Sequence, residues 1–588
     1  MTIQDIHKAV IEAVRKSTEK TYGIKLGHIG LDFPPNVKLG DFAVGFFGLA
    51  KEIKQSPAEI AKTVAKGIST GGLIKRVVAI GPYLNLKVGE EELFRSVCSE
   101  VLGKNKVFGE SRVRQQKRVM VEYLSPNTNK PLHLGHMRNG SLGMALSNIL
   151  EASGFEVIKA NLINDRGVHI CKSMLAWQKW GNGETPESTG IKGDHFVGRW
   201  YVKYAIESEN NLHLDEEVQE MLQKWEAGDP EIMELWKKMN QWVYGGFSET
   251  YEKLGLRFNV FFHESDTYKL GKDIVDEGIK KGVFYKDARG NIVFDLPEKR
   301  FGLNKDDQPK KVTVLRSDGT SVYITQDIGT AILKMADYNI DRSVYVVGSE
   351  QIHHFQCLFE ILRALGYSWS DELFHLSYGM VYLPDGKMKS REGKVVDADN
   401  LIEEVHNLAA EEIRKRDTGN LVSEDEIAER ASKVAVGAIK FYLLRVKPSQ
   451  DIHFDPKESL SFEGFTGPYC QYAYARISGI LRNTKEEKAD LYQADFSLLG
   501  NEEELLLLQK LIQFPLEVEK AAREYNPLRV LSQTYEVAKA FSQFYNAHPV
   551  LHVEDDRLML ARLELIKAAA IVIKNGLGFL GIEVMERM

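Results

Sequence analysis

The residues Pro126–His136, PNTNKPLHLGH, set two histidines around one glycine, with Lys130 three positions before the first. A β-prone apolar run precedes them (Val119, Met120, Val121, Tyr123). A helix-periodic run from Met137 to Leu150 follows, closed by Ser153-Gly154. The order strand, loop, HxGH, helix brings backbone N–H groups and two imidazoles to a helix N-terminus, where anions bind. Such a site suits the triphosphate of a nucleotide. Taken alone, HxGH is also compatible with two partly buried histidines at a helix start. A second cation-rich segment lies much later, at Pro384-Asp385-Gly386-Lys387-Met388-Lys389-Ser390-Arg391-Glu392-Gly393-Lys394. A glycine-flanked basic loop of this kind can close over phosphates and neutralise charge in a phosphoryl-type transition state. Its plainer reading is an exposed basic hairpin loop.

Elements that could position these residues are legible in the periodicity. Residues 1–112 read as a small α/β module, with helical patterns at 3–22 and 56–70 and strands at 76–80 and 83–88. The polar, basic stretch 112–118 reads as a boundary, either a solvated linker or a polyanion contact. From 113 to 395 strands alternate with helices. This predicts a doubly wound parallel (Rossmann-like) sheet that binds ligands at its carboxyl edge. A polar helical stretch at about 185–255 reads as an insertion. Hairpins are expected at Thr313–Thr325, around Ser317-Asp318-Gly319-Thr320, and at 375–383. Beyond about 400 the spacing is helical throughout. It predicts a connecting segment, 396–455, and an all-α C-terminal bundle, 456–588.

Composition narrows the setting. A chain of 588 residues exceeds one core. No apolar run is long enough to span a membrane, and the N-terminus, with Asp5 and Glu12, is neither a signal nor a transit peptide. The four cysteines (Cys98, Cys171, Cys357, Cys470) are scattered, which fits a reducing cytoplasm and indicates no structural metal. A net charge of −7 offers no global attraction to nucleic acid, so any polyanion must meet local basic patches.

Taken together and in order, these motifs resemble a class I aminoacyl-tRNA synthetase, with its HIGH sequence and later KMSKS loop. Within that class the chain is similar to the arginyl-tRNA synthetase family over essentially its whole length. PNTNKPLHLGH resembles the extended HIGH region and DGKMKSREGKVV a degenerate KMSKS loop. Ser321–Gly329 resembles the YLTxD segment, Gly467–Ala473 the start of the anticodon-binding domain, and Asn526–Leu551 the DALR-type bundle, and the chain ends Glu586-Arg587-Met588. Ser390 stands where KMSKS has its second lysine, and Lys130 holds the position of the lysine that substitutes for it.

The resemblance implies a two-step ligase that uses ATP, L-arginine and the tRNA for arginine, with Mg²⁺ accompanying ATP and no protein-bound metal. It implies catalytic roles for Lys130, His133, His136, Lys387, Lys389 and Arg391, and ATP contacts from Pro126, His133, Gly135, His136 and Met388. Glu122, Asn127, Tyr323, Asp327 and Gln351 would line the arginine pocket, and Tyr472, Tyr545 and Met588 would meet the anticodon loop. The N-terminal module would contact the tRNA as well. A cytoplasmic monomer with no DNA or membrane partner is expected. Physically, a buried guanidinium needs carboxylates. Asp327 alone also fits a helix N-cap, and the C-terminal aromatics also fit core packing. Three other functions stay open from residues alone: a different class I synthetase, a small nucleotidyltransferase, and a tRNA-binding paralogue without activity.

Overall fold

A computed structural model describes residues 1–27, 29–111, 117–209, 211, 213–383, 396–417, 422–484 and 493–588. The first helix, Ile3–Tyr22, opens with a reciprocal Thr2/Asp5 capping box and stops at Gly23, whose φ of 68° suits glycine. Its apolar face (Ile3, Ile6, Val10, Val14) packs on an antiparallel sheet. The strands of that sheet are β1 (Phe42–Gly45), β2 (Ile74–Ile80) and β3 (Tyr83–Val88), in the order β1-β3-β2.

The central sheet is parallel and five-stranded. Its strands are β4 (Arg118–Glu122), β5 (Glu156–Ile163), β6 (Val260–His263), β10 (Arg342–Gly348) and β11 (Leu373–Tyr378), ordered β11-β10-β4-β5-β6. The chain steps from β4 to β5 to β6, then returns to the other side of β4 to lay down β10 and β11. The winding direction therefore reverses between β4 and β10, and the crevice beyond their carboxyl ends is where such a sheet binds ligands. Helix Leu134–Ala152, which follows β4, is buried on nearly every side. Gly143 lets it press onto the strand exit, because a Cβ there would meet the Tyr123 ring at 2.2 Å.

Between β5 and β6 run the helices Val168–Trp180, Gly193–Ser208, His213–Ala227 and Pro230–Lys253. Their aromatic contacts (Phe196 with Trp200 and Trp242, Trp177 with Trp242) give this helical insertion its own packing. A small antiparallel sheet, β7 (Tyr285–Lys286), β8 (Ile292–Asp295) and β9 (Lys311–Leu315), precedes β10.

Both expected hairpins are replaced. The strand β9 pairs with β8, and only a Leu315–Ser321 bridge remains of the 313–325 hairpin. Helix Tyr323–Asp337 begins instead, because the Thr325 hydroxyl accepts from the Val322 N–H at 3.1 Å and donates to the Val314 carbonyl. At 375–383 the first half, β11, lies parallel to β10 because the intervening helix Ile352–Ala364 forces a crossover. The second half, β12 (Val381–Tyr382), pairs in parallel with β13 (Ile452–His453). Two helices, Ala398–Arg416 and Glu424–Leu444, connect to a bundle of Gly467–Arg482, Glu502–Glu524, Leu528–Ala547 and Asp556–Phe579. A buried Arg562–Glu504 pair at 2.9 Å ties the last of these to Glu502–Glu524. Among the described residues no helix is long and apolar enough to cross a membrane.

Candidate active site

The loop after β4 is set by its backbone. Leu124 and Ser125 both occupy the left-handed region, at φ 80° and 46°, a costly arrangement for side-chain-bearing residues. Three asparagines hold it. The Leu124 N–H donates to Asn139 Oδ1 at 2.6 Å and the Ser125 N–H to Asn161 Oδ1 at 3.2 Å, while Asn164 Nδ2 donates to the Ser125 carbonyl. Further on, the Asn164 N–H donates to Pro126 O and the Thr128 N–H to Asn164 O. The loop is thereby stitched to the end of β5.

His133 is the N-cap of helix Leu134–Ala152. Its Nδ1 accepts from the Gly135 N–H at 3.2 Å, and His136 Nδ1 accepts from the His133 N–H at 3.1 Å. The two rings lie 3.8 Å apart. Burial drives the His133 pKa down to about 3, helped by Lys130, and burial with the His133 and Lys130 charges holds His136 well below its usual value. Both imidazoles are therefore neutral, and each has committed its Nδ1 lone pair to the backbone. The remaining proton sits on Nε2, so each ring is a fixed donor. Burial also lowers the Lys130 pKa.

Two cavities meet at this loop. One of about 470 Å³ is bounded by Asn127, Lys130, His133, Gly135 and His136 on one side and by Val346–Gly348, Glu350, Gln351 and Tyr378 on the other. The other, about 440 Å³, shares Asn127, Lys130 and His133 and extends under His169, His195 and Tyr201 of the insertion. Asn127, Lys130, His133, Gly135, His136 and Gln351 are thus brought together as expected from sequence, whereas Pro126 is buried beneath the loop and lines neither cavity. Lys387, Met388, Lys389 and Arg391 lie outside the described residues.

The carboxylates have partners within the chain. Glu122, 5 % exposed, forms a buried ion pair with Lys334, whose ammonium lies 5.2 Å from the ring centres of both Phe262 and Tyr345. Burial opposes the Lys334 charge, but Glu122 outweighs it, and the pKa lies above the ordinary lysine value. Asp327 stands one turn after Tyr323 in its helix, so it is not an N-cap; its Oδ2 meets His354 Nε2 at 2.6 Å. Tyr323 is 78 % exposed. None of Glu122, Tyr323 and Asp327 lines either cavity. Glu264, at the carboxyl end of β6, was not singled out by sequence. Burial pushes its pKa up to about 7 against the pull of Arg166, with Asp165 and Asp327 adding to the rise. Lys334 carries a sequence signal of its own, a lysine seven residues after Asp327 on an apolar helix.

In the C-terminal bundle Arg476 joins two of the expected residues. Its Nη2 donates to the Tyr472 hydroxyl at 2.7 Å, and its guanidinium lies 5.3 Å from the Tyr545 ring centre. Met588 packs against a separate cluster that includes Ile413, Ile427 and Met585.

A parallel sheet with a histidine-capped helix at its switch point is the catalytic architecture of the class I aminoacyl-tRNA synthetases, and residues 97–455 match the family described as tRNA synthetases class I (R), catalytic domain. Residues 4–88 match the arginyl tRNA synthetase N terminal domain and 470–588 the DALR anticodon binding domain. The arginine–tRNA ligase of Treponema denticola is 46% identical over 569 residues, 95% of each chain, and that of Bacteroides thetaiotaomicron 47% over 488 residues, 80% of each. The Thermus thermophilus arginyl-tRNA synthetase structure superposes with a TM-score of 0.84 at 26% identity, covering 99% of this chain and 100% of that one. The chain belongs to the arginyl-tRNA synthetase family.

Proposed function

We infer that this chain carries out the two steps of its family with the residues assembled at the switch point. The arginine carboxylate attacks the α-phosphate of ATP, forming arginyl adenylate and releasing pyrophosphate. A hydroxyl of the tRNA 3′-terminal ribose then attacks the adenylate carbonyl, forming the ester and releasing AMP. Neither step needs a covalent enzyme intermediate, so alignment and charge stabilisation do the work. The observation that supports this most is the pair of neutral imidazoles that line the cavity with Lys130, each held by its own Nδ1. Fixed donors of this kind suit phosphate oxygens whose charge grows in the transition state. Mg²⁺ would supply added charge neutralisation on the phosphates. Among the described residues lining the 470 Å³ cavity Glu350 is the one carboxylate, which suits an ion held by the phosphates more than by protein.

On this reading Asn127 and Gln351 orient arginine from the cavity wall, and Glu122, Tyr323 and Asp327 receive its guanidinium and α-ammonium when the substrate is bound. Lys387, Lys389 and Arg391 would add positive charge toward the ATP phosphates, and Met388 would contact ATP. Tyr472 and Tyr545 offer faces for unstacked anticodon bases, with Arg476 beside them, and Met588 adds a contact. In the N-terminal module the exposed Phe47 and Tyr83 rings, 5.6 Å apart, provide a further surface for tRNA. The working form is a cytoplasmic monomer, a state that light scattering checks. ATP–pyrophosphate exchange with each of the twenty amino acids, with and without total tRNA, tests the reading. Exchange with arginine alone is expected. Exchange with another amino acid would overturn the roles of Glu122 and Asp327.

A further inference from the structure

The Asp327 carboxylate is not free to turn. Its Oδ2 lies 2.6 Å from Nε2 of His354, which comes from a different helix, Ile352–Ala364. Both side chains stay partly open, at 35 % and 25 % exposure. His354 is in turn braced. Its ring meets Phe355 edge-on at 5.7 Å, and Phe355 stacks on His375 at 4.4 Å. His375 Nε2 lies 3.0 Å from the carbonyl of Val347, a cavity-lining residue of β10. The same chain turn carries Gln351, another cavity residue, three positions before His354.

We propose that His354 is a positioning residue that sets the Asp327 carboxylate for a planar guanidinium and so helps the enzyme prefer arginine to amino acids with a simple ammonium. This rests on the reading that Asp327 faces the arginine side chain. A guanidinium is recognised by two parallel N–H···O bonds, which require a carboxylate held in one plane. An unrestrained aspartate can meet an ammonium as well as a fork, because a point charge has no plane to match. With Oδ2 accepting from the imidazole, the rotation of Asp327 is arrested, while Oδ1 and the second Oδ2 lone pair remain for the substrate. A lysine at position 354 could also hold Asp327, but it would cancel the charge that the guanidinium needs. An imidazole orients the carboxylate through one N–H on a rigid ring.

The test is ATP–pyrophosphate exchange by the full-length protein with saturating tRNA, comparing KM for arginine, KM for ATP and kcat. His354→Phe keeps a ring and deletes the donor. It is expected to raise KM for arginine about tenfold, in line with loss of a hydrogen bond to a charged group. KM for ATP should stay within about twofold, and the preference for arginine over ornithine should narrow. His354→Gln, whose amide can reach the same oxygen, should restore most of the loss. In Asp327→Asn the further change His354→Phe should have little effect, since the two act through one contact. If His354→Phe leaves KM for arginine unchanged while Asp327→Asn raises it, the positioning role is wrong and the pocket reading stands. If Asp327→Asn leaves KM for arginine unchanged, the pocket reading itself fails. A parallel rise in both KM values, or failure of His354→Gln to restore activity in a protein with native circular dichroism, would mark His354 as structural and overturn the proposal. Should His354→Phe not fold, His354→Gln and the Asp327→Asn pair decide between these outcomes.

Discussion

The phosphate end of the site and its guanidinium end are built in opposite ways. At the phosphate end Lys130, His133 and His136 fall within seven consecutive residues, and the two imidazoles are oriented by the N–H groups of the helix they begin. At the guanidinium end the candidate groups come from β4, from helix Tyr323–Asp337 and from the turn before Ile352–Ala364, and each carboxylate is held by a distant side chain: Glu122 by Lys334 and Asp327 by His354. The contrast follows from charge. Neutral donors can be aimed by local backbone at modest cost. A carboxylate that is buried, as Glu122 is, or partly enclosed, as Asp327 is, gains a compensating cation or donor only from tertiary packing.

Removing a phosphate-end donor should give the largest effect on activity. His136→Ala is expected to slow exchange by about 10²–10³-fold with native circular dichroism, since a fixed oxyanion donor contributes on that scale. A loss below tenfold would put the burden on another group. At the other end Lys334→Met should act first on stability, because it strands Glu122 in a buried site. Urea unfolding should show a loss of about 3–5 kcal/mol. If Glu122 does receive substrate, added arginine should restore part of that stability in the variant, and no restoration would separate Glu122 from the pocket.

Acid should distinguish the ends as well. The unfolded histidines titrate near 6.5, whereas burial holds folded His133 down at about 3 and His136 well below its usual value. The unfolded state therefore binds more protons between these values, and the stability that the neutral rings contribute is complete above 6.5 and is lost as pH falls toward 3. Guanidinium-chloride midpoints measured downward from pH 7 should show this, by on the order of 1 kcal/mol after allowance for partial exposure. The dependence should weaken in a His133→Asn variant. The smallest effect is expected at the strained turn. Ser125→Gly removes a left-handed side-chain penalty of about 1–2 kcal/mol and adds about 0.5–1 kcal/mol of chain entropy, leaving a slight net gain in stability. Exchange should not improve with it, because the three asparagines already hold the loop. A faster enzyme would mean that the strain opposes the chemistry.

Much of this was legible in the residues. The strand-loop-helix frame of HxGH, the alternation of strands and helices, the helical insertion and the all-α C-terminal half all followed from spacing. The hairpin expectations failed where tertiary partners outbid local pattern. Tyr323-Ile324-Thr325 is strand-like in composition, yet the Thr325 hydroxyl starts a helix there. The stretch after Leu373 joins the main sheet because a whole helix separates β10 from β11. Arg138 shows the same limit. In the sequence it is a cation two residues past His136; in the fold it is fully buried and donates to the carbonyls of Gly379, Met380, Pro448 and Gln450, tying together two segments distant in the chain.

By itself, then, the sequence determined which residues can cap a helix with imidazoles, where the sheet alternates, and which family motifs occur in which order, since all of these depend on neighbours within a few positions. The tertiary structure alone decided which cation answers Glu122, which histidine restrains Asp327, and that Tyr472 and Tyr545 share Arg476. Glu122–Lys334, Asp327–His354 and Arg476–Tyr545 each join residues well separated in the chain, and they follow from how the elements pack and, for Glu122, from the cost of leaving a buried charge alone.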